Sequence, residues 1–257
     1  MMRKLFVAGN WKMNLDEADA TALAGDLRAN LSGDQVFAKV DVAVYPPFVY
    51  LPAVGKVLSN SKIQVGAQNV YFESRGAFTG EISVAMLKDV GCRYSIIGHS
   101  ERRHVMGEDD VLINKKMHAI LQGGLEVIFC LGELLSDREQ GQTEKVVERQ
   151  LRNGLVAVEP ADMSRVTIAY EPVWAIGTGK TATPGQAQEA HAFCREIIAD
   201  MFDESVAQQV RIQYGGSVKP ENASELLGQK DVDGALVGGA SLKSDSFTGI
   251  IKAGLNL

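Results

Sequence analysis

Val166-Thr-Ile-Ala-Tyr170-Glu-Pro-Val-Trp-Ala-Ile-Gly177-Thr-Gly179-Lys180 is followed closely by Thr183-Pro184-Gly-Gln186. The run Val166–Tyr170 reads as a buried strand, and a carboxylate, Glu171, follows it directly. Pro172 stiffens the exit, and Gly177 and Gly179 free the backbone further on. The connection from Pro172 to Lys180 is longer than the roughly 2–6 residues usual between a strand and its helix, a surplus that often has a functional reason. Its apolar middle, Ala175-Ile176, suits a lid that expels water when it closes. Thr183 with Gln186 is a capping-box helix start, with proline at the first helical position. Ala187, Ala190, Cys194, Ile197, Ile198 and Met201 then recur three and four residues apart, as on one apolar helix face. The stretch is one βα unit.

The same unit recurs along the chain. Strand candidates are Lys4–Gly9, Val40–Tyr45, Ile63–Ala67, Tyr94–Gly98, Glu126–Leu131, Val166–Tyr170, Val210–Tyr214 and Gly234–Val237. Several are near-continuous apolar runs, as expected of parallel strands covered on both faces. Helical patterns fall between them at Asp16–Asn30, Pro47–Ser59, Val84–Val90, Asp110–Gln122, Pro220–Leu227 and Asp245–Gly254. An earlier helix carries Val147, Leu151, Leu155 and Val158. Eight units without a linker or composition break predict a single (β/α)8 barrel domain over residues 1–257, eight parallel strands ringed by helices. A doubly wound open sheet is the rival. Its dinucleotide fingerprint matches by letter at Gly177-x-Gly179-x-x-Ala182, but this follows a long loop and not a strand. Gly179-Lys180-Thr181 is no phosphate-binding P-loop, because Trp174 stands where its first glycine must be.

Composition sets limits. The 257 residues are 46% hydrophobic, enough for a sizeable core, and the net charge is −6. No basic block or basic amphipathic helix appears, which argues against nucleic-acid and membrane partners. A local cationic pocket can still hold a small anion on an acidic protein. The cysteines Cys92, Cys130 and Cys194 are odd in number and widely spaced, so neither a disulfide framework nor a zinc ribbon is indicated. With no secretory or membrane-spanning run, a cytoplasmic location is expected.

In such a barrel, chemistry sits at the C-terminal ends of the strands. Those positions hold Asn10 and Lys12 after the first strand, His99 after the fourth, Glu171 after the sixth, Ser217 after the seventh, and Gly238-Gly239 after the eighth. That is a base, an imidazole, a cation, an amide and two glycine-rich turns, the set a proton-moving enzyme with an anionic substrate requires. Gly215-Gly216-Ser217 and Gly238-Gly239 can present backbone N–H groups, and Ala240-Ser241-Leu242 can open a short helix whose N-terminus favours an anion. Either turn alone is a tight connection; together, at these two strands, they favour phosphate. His99 taken alone reads more readily as a satisfied strand-end histidine than as a chemical group. It has no metal-ligand spacing with His104, His118 or His191, and no metal or cofactor is expected. A Schiff-base role for Lys12 would require a hydrophobic pocket that lowers its pKa.

Seven motifs in order carry a resemblance: Gly9-Asn-Trp-Lys12, Gly66-Ala-Gln-Asn69, Gly76-Ala-Phe-Thr-Gly-Glu81, Ile97-Gly-His-Ser-Glu-Arg-Arg103, Ala169 to Lys180, Tyr214-Gly-Gly-Ser217 and Leu236-Val-Gly-Gly-Ala-Ser-Leu242. Essentially end to end, the chain resembles the triosephosphate isomerase family. The resemblance implies cofactor-free interconversion of dihydroxyacetone phosphate and D-glyceraldehyde 3-phosphate through an enediolate, in glycolysis and gluconeogenesis. It makes Glu171 the base, His99 the electrophile and Lys12 the stabilising cation, with Asn10 nearby. Gly177, Ser217, Gly238 and Gly239 would grip the phosphate. Ser100, Glu101 and Cys130 would support these groups, with Glu101 either holding Lys12 or passing protons. The aromatic loop from Tyr71 to Ser83 would insert into a second copy, Thr79 reaching toward its lysine, so a homodimer is expected. The chain departs from the family at Leu131 and at Val105-Met106-Gly107, which bear on stability and the interface. Two other readings stay open: a phosphosugar lyase using Lys12, which borohydride would trap, and a silent phosphometabolite binder.

Overall fold

The computed structural model describes residues 3–33, 35–176 and 181–256. Eight strands alternate with helices: β1 Leu5–Asn10, β2 Val40–Tyr45, β3 Gln64–Ala67, β4 Tyr94–Ile97, β5 Glu126–Leu131, β6 Val166–Tyr170, β7 Arg211–Tyr214 and β8 Gly234–Val237. Each pairs in parallel with the next, and β8 closes on β1 through Phe6↔Gly234 to Gly9↔Val237, so the sheet is a closed barrel. Each observed strand lies within a residue of its predicted bounds at either end.

Both faces of the strands are covered. Phe6 and Ala8, Ile128 and Cys130, and Tyr94 and Ile96 form one buried cluster, while the alternating Val7, Val127, Phe129 and Ile97 join a second with the helices. Phe6 of β1 and Tyr94 of β4 stack with centroids 5.1 Å apart, which non-adjacent strands achieve only across the lumen. The barrel is therefore a packed core. A strand that meets apolar atoms on both sides has no polar face, and its sequence reads as an unbroken apolar run.

The N-terminal rim of the barrel is closed by charges. Asp41 pairs with Lys4 at 2.6 Å and Arg211 at 2.7 Å, and Glu126 pairs with Arg93 at 2.6 Å. The polar strand-end residues Asn10, His99 and Glu171 gather at the opposite rim, around one cavity.

Helix starts follow local chemistry. Asp16 caps Glu17–Asn30, Asp109 caps Asp110–Gln122, and Thr183 with Gln186 forms the capping box of Pro184–Met201. The helix carrying Val147 and Leu151 is Thr143–Gly154, shorter than its pattern. Leu155 and Val158 are buried in the turn beyond it. A Cβ on Gly154 would sit 2.1 Å from the Phe129 ring, so the helix end packs backbone-first against β5. Among the described residues, no helix is long and apolar enough to cross a membrane.

The helix Pro184–Met201 also buries two residues its apolar pattern does not announce, His191 and Arg195. Arg195 reaches Asp231 and Asp233 at 2.7 Å each and donates to the carbonyls of Ala207 and Val210. His191 packs against the rings of Tyr170 and Tyr214, and among the described residues its Nε2 has no hydrogen-bond partner. Burial pushes its pKa down to about 4. The unfolded chain takes that proton near pH ~6.5. Its contribution to stability is thus present above that value and is lost as pH falls toward about 4. At roughly 1.4 kcal/mol per unit, the loss is on the order of 3 kcal/mol. Urea unfolding at several pH values should show a shallower acid decline for His191→Phe than for the wild type. Equal slopes would remove His191 from the acid transition.

Candidate active site

A cavity of about 250 Å³ opens at the C-terminal rim, lined among others by Asn10, Lys12, His99, Glu171, Ser217 and Gly238. A larger one of about 630 Å³ lies by the opposite rim, between the segments around Arg28–Phe37 and Asn60–Ile63. Among the described residues its lining has cations and amides but no carboxylate or imidazole. Chemistry, not size, selects the first.

Glu171 is seated by backbone. Its N–H donates to Leu131 O at 2.7 Å, and Gly215 N donates to Tyr170 O at 2.7 Å. A Cβ on Gly132 would lie 1.8 Å from Glu171 O, and one on Gly215 would lie 2.7 Å from Glu171 Cγ. Glycine at both neighbours lets three strand ends close around the carboxylate, which is 2% exposed. Its Oε2 accepts the Ser100 N–H at 2.8 Å, and its Oε1 lies 3.0 Å from His99 Nε2.

His99 lies two residues beyond β4 and caps the short helix Ser100–His104. Its Nδ1 accepts the Glu101 backbone N–H at 3.2 Å. That nitrogen therefore carries no proton; the ring hydrogen sits on Nε2 and points at Glu171. Burial opposes charge on this ring, but the Glu171 carboxylate at Nε2 outweighs burial and raises its pKa above the ordinary value. The rise depends on the Glu171 contact. When the carboxylate turns to a substrate, burial and Lys12 still oppose charge on the ring, while the Glu101 carboxylate, 3.6 Å from Nδ1, still favours it.

Lys12 has φ +52°, left-handed and costly for a side chain with a Cβ, about 1–3 kcal/mol. Two tethers hold it there. Its N–H donates to Asn10 Oδ1 at 3.0 Å, and its carbonyl accepts from Gln68 Nε2 at 2.8 Å. Gln68 also donates to Tyr45 O at 2.9 Å, and the neighbouring Trp11 is fully buried. The ammonium points into the cavity and pairs with Glu101 Oε1 at 2.6 Å. Of the two roles open for Glu101, the geometry displays the holding of Lys12.

The two glycine turns face this group. Gly215, Gly216, Ser217, Gly238 and Gly239 all line the cavity. A Cβ on Gly238 would stand 3.5 Å from Lys12 Cε. Gly239–Leu242 forms the short 3-10 helix, and Ser241 Oγ donates to Gly238 O at 2.7 Å, tying the turn back on itself. Cys130 is fully buried in the lumen, where burial foremost, with Glu171 also contributing, pushes its thiol pKa well up. Thr79 lies away from this group on the exposed loop after β3. Gly177 and the loop tip to Lys180 lie outside the described residues.

The sequence reading passed over three supporting residues. Gln68 is one. Glu133, fully buried after β5, accepts from Tyr170 OH at 3.0 Å and Trp174 Nε1 at 2.9 Å, fixing the start of the 172–180 segment. Arg103 is the third. Gln68 and Glu133 follow the ends of β3 and β5 like the chosen residues, and that position was their available signal; Arg103 acts through backbone carbonyls and had none.

A family model described as triosephosphate isomerase matches residues 5–254. The chain is 54% identical over 251 residues to the triosephosphate isomerase of Syntrophotalea carbinolica, covering 98% of both chains. It is 55% identical to that of Chloroherpeton thalassium, covering 98% of this chain and 99% of the relative. Against that of Carboxydothermus hydrogenoformans it is 54% identical, with 99% and 100% covered.

Proposed function

We infer that this chain, which belongs to the triosephosphate isomerase family, interconverts dihydroxyacetone phosphate and D-glyceraldehyde 3-phosphate with Glu171 as its base and His99 as its electrophile. The reaction is a step of glycolysis and gluconeogenesis. The observation that carries the assignment of roles is the contact of Glu171 Oε1 with His99 Nε2 at 3.0 Å beside the Lys12 ammonium. Glu171 takes a proton from the carbon next to the carbonyl and returns it to the neighbouring carbon. His99 Nε2–H hydrogen-bonds the carbonyl oxygen as negative charge develops there and passes a proton between the two oxygens, so atoms and charge balance with no co-reactant. This division between a glutamate base and a neutral histidine is the family's known chemistry. Lys12 stabilises the enediolate and the phosphate, the developing charge being where preorganised donors act most strongly.

Asn10 serves this scheme by holding the Lys12 backbone. Ser217, Gly238 and Gly239, with Gly177, bind the phosphate. Ser100 and Glu101 present backbone N–H groups to the base and the imidazole, and Cys130 packs beneath the base. The 172–180 loop closes over the site and excludes water. Coupled assays in both directions test the reading: no turnover, with tight binding of a phosphorylated enediolate mimic, would leave a silent binder.

The protein acts as a homodimer in this reading. Tyr71, Phe72 and Phe78 stack at 4.5 and 5.0 Å on the loop after β3, and Met13, Val105 and Met106 are 95, 73 and 64% exposed. So much exposed apolar surface favours a partner. Thr79 on that loop reaches toward Lys12 of the partner subunit. Phe78→Asp would place a charge in the interface, and light scattering should then report a monomer with reduced turnover. A dimer of unchanged mass would refute this use of the loop. Three buried, unpaired cysteines suit the reducing cytoplasm, where we place the enzyme.

A further inference from the structure

Arg103 takes no part in the chemistry above, yet its guanidinium is wholly engaged inside the protein. The side chain is 7% exposed and pairs with Asp110 Oδ1 through Nη1 at 2.6 Å. Its Nε donates to Gly98 O at 2.8 Å, and its Nη2 donates to Cys130 O at 3.3 Å. The Phe129 ring centroid lies 5.9 Å from its central carbon.

Those two carbonyls are not arbitrary. Gly98 immediately precedes His99 and has φ +69°, and a Cβ there would lie 2.6 Å from Cys130 O. Only glycine fits, and glycine brings wide rotational freedom to the peptide that carries the imidazole. Cys130 belongs to β5, whose next residue, Leu131, accepts the Glu171 N–H. One planar guanidinium thus fixes the backbone before the electrophile and the strand on which the base is seated.

We propose that Arg103, anchored by Asp110, is a positioning residue that sets His99 Nε2 against the Glu171 carboxylate. The proposal rests on the reading of His99 and Glu171 given above. A lysine keeps the charge but is a point donor, which cannot reproduce a fork spanning two carbonyls and a carboxylate. A misplacement of about 1 Å at reacting groups can cost roughly 10²-fold in rate.

The test compares Arg103→Lys and Asp110→Asn with the wild type by steady-state kinetics, thermal unfolding and nitrogen-15 NMR of the His99 ring. Arg103→Lys should lower kcat by roughly 10–10²-fold, leave KM nearly unchanged because the phosphate turns follow β7 and β8, and shift the His99 ring resonances. Asp110→Asn should move both readouts the same way by less. A lowered Tm with wild-type kcat and an unmoved His99 signal would make Arg103 purely structural and overturn the proposal. If Arg103→Lys does not fold, Asp110→Asn decides alone, and unchanged kcat and His99 signal overturn it. A wild type that fails to isomerise the triose phosphates counts against the assigned function instead, and the His99 signal, which requires no turnover, still decides the positioning role.

Discussion

Glu171→Gln should reduce turnover by at least the roughly 10²–10⁴-fold that a lost general base costs, while binding of phosphorylated ligands survives. The amide has nearly the shape of the carboxylate, so Gly132 and Gly215 still enclose it without a clash. What changes is its hydrogen-bonding capacity. The carboxylate accepts from Ser100 N and from His99 Nε2, using one oxygen for each. An amide has one oxygen and turns an N–H toward the other donor. The imidazole cannot adapt by moving its proton to Nδ1, because the Glu101 N–H occupies that nitrogen. One donor is left without a partner, at a cost on the order of 1–3 kcal/mol, which for a chain of this size lowers Tm by about 2–4 °C per kcal/mol. Stability should therefore fall slightly and kcat steeply. Isomerisation of glyceraldehyde 3-phosphate at a near-normal rate by this variant would show that Glu171 is only a structural acceptor, and the assigned base would be wrong.

The steepness of that contrast explains why the base could be read from sequence at all. Glu171 announces itself because a carboxylate directly after the apolar run Val166–Tyr170 has no local structural reason to be there. The strands were legible for a related cause: a parallel strand buried on both faces contains little except apolar residues, so its ends are marked by the first polar one. His99, Lys12 and Asn10 stand out by the same rule. Gln68 and Glu133 also follow strand ends, but what each does shows only in partners that the fold brings from elsewhere, Lys12 and Trp174, 56 and 41 positions away, and Arg103 follows no strand end directly. Arg103 additionally hides beside Arg102, which pairs with Glu108 at 2.5 Å on its own account, and no local pattern separates the two arginines. The helix Thr143–Gly154 shows the limit of periodicity itself. Leu155 and Val158 continue the three-and-four spacing and are buried, but in a turn where Ala157 has φ +57°. Burial sets the pattern, whatever backbone delivers it.

Lys12→Met should be the most damaging single change at the cation, because it alters two charges' effects at once. The ammonium is the cation that faces both His99 and the glycine turn at Gly238. Removing one preorganised stabiliser of a developing oxyanion costs roughly 10²–10³-fold in kcat. The same change releases Glu101, whose carboxylate Lys12 now holds at 2.6 Å. An unpaired carboxylate then faces a dianionic phosphate and an incoming enediolate, so KM should rise as well. Methionine retains the length of the stem and the left-handed backbone that Asn10 and Gln68 enforce, so the fold should persist. Adding Glu101→Gln to Lys12→Met separates the two effects. The amide removes the repulsion while keeping the backbone N–H that binds His99 Nδ1, and the double variant should recover part of the lost KM but little of kcat. Measured against inorganic phosphate as a competitive ligand, the single variant should bind more weakly than the double. Equal KM in the two would mean that Glu101 is not released toward the substrate, and the electrostatic role assigned to the Lys12–Glu101 pair would fail.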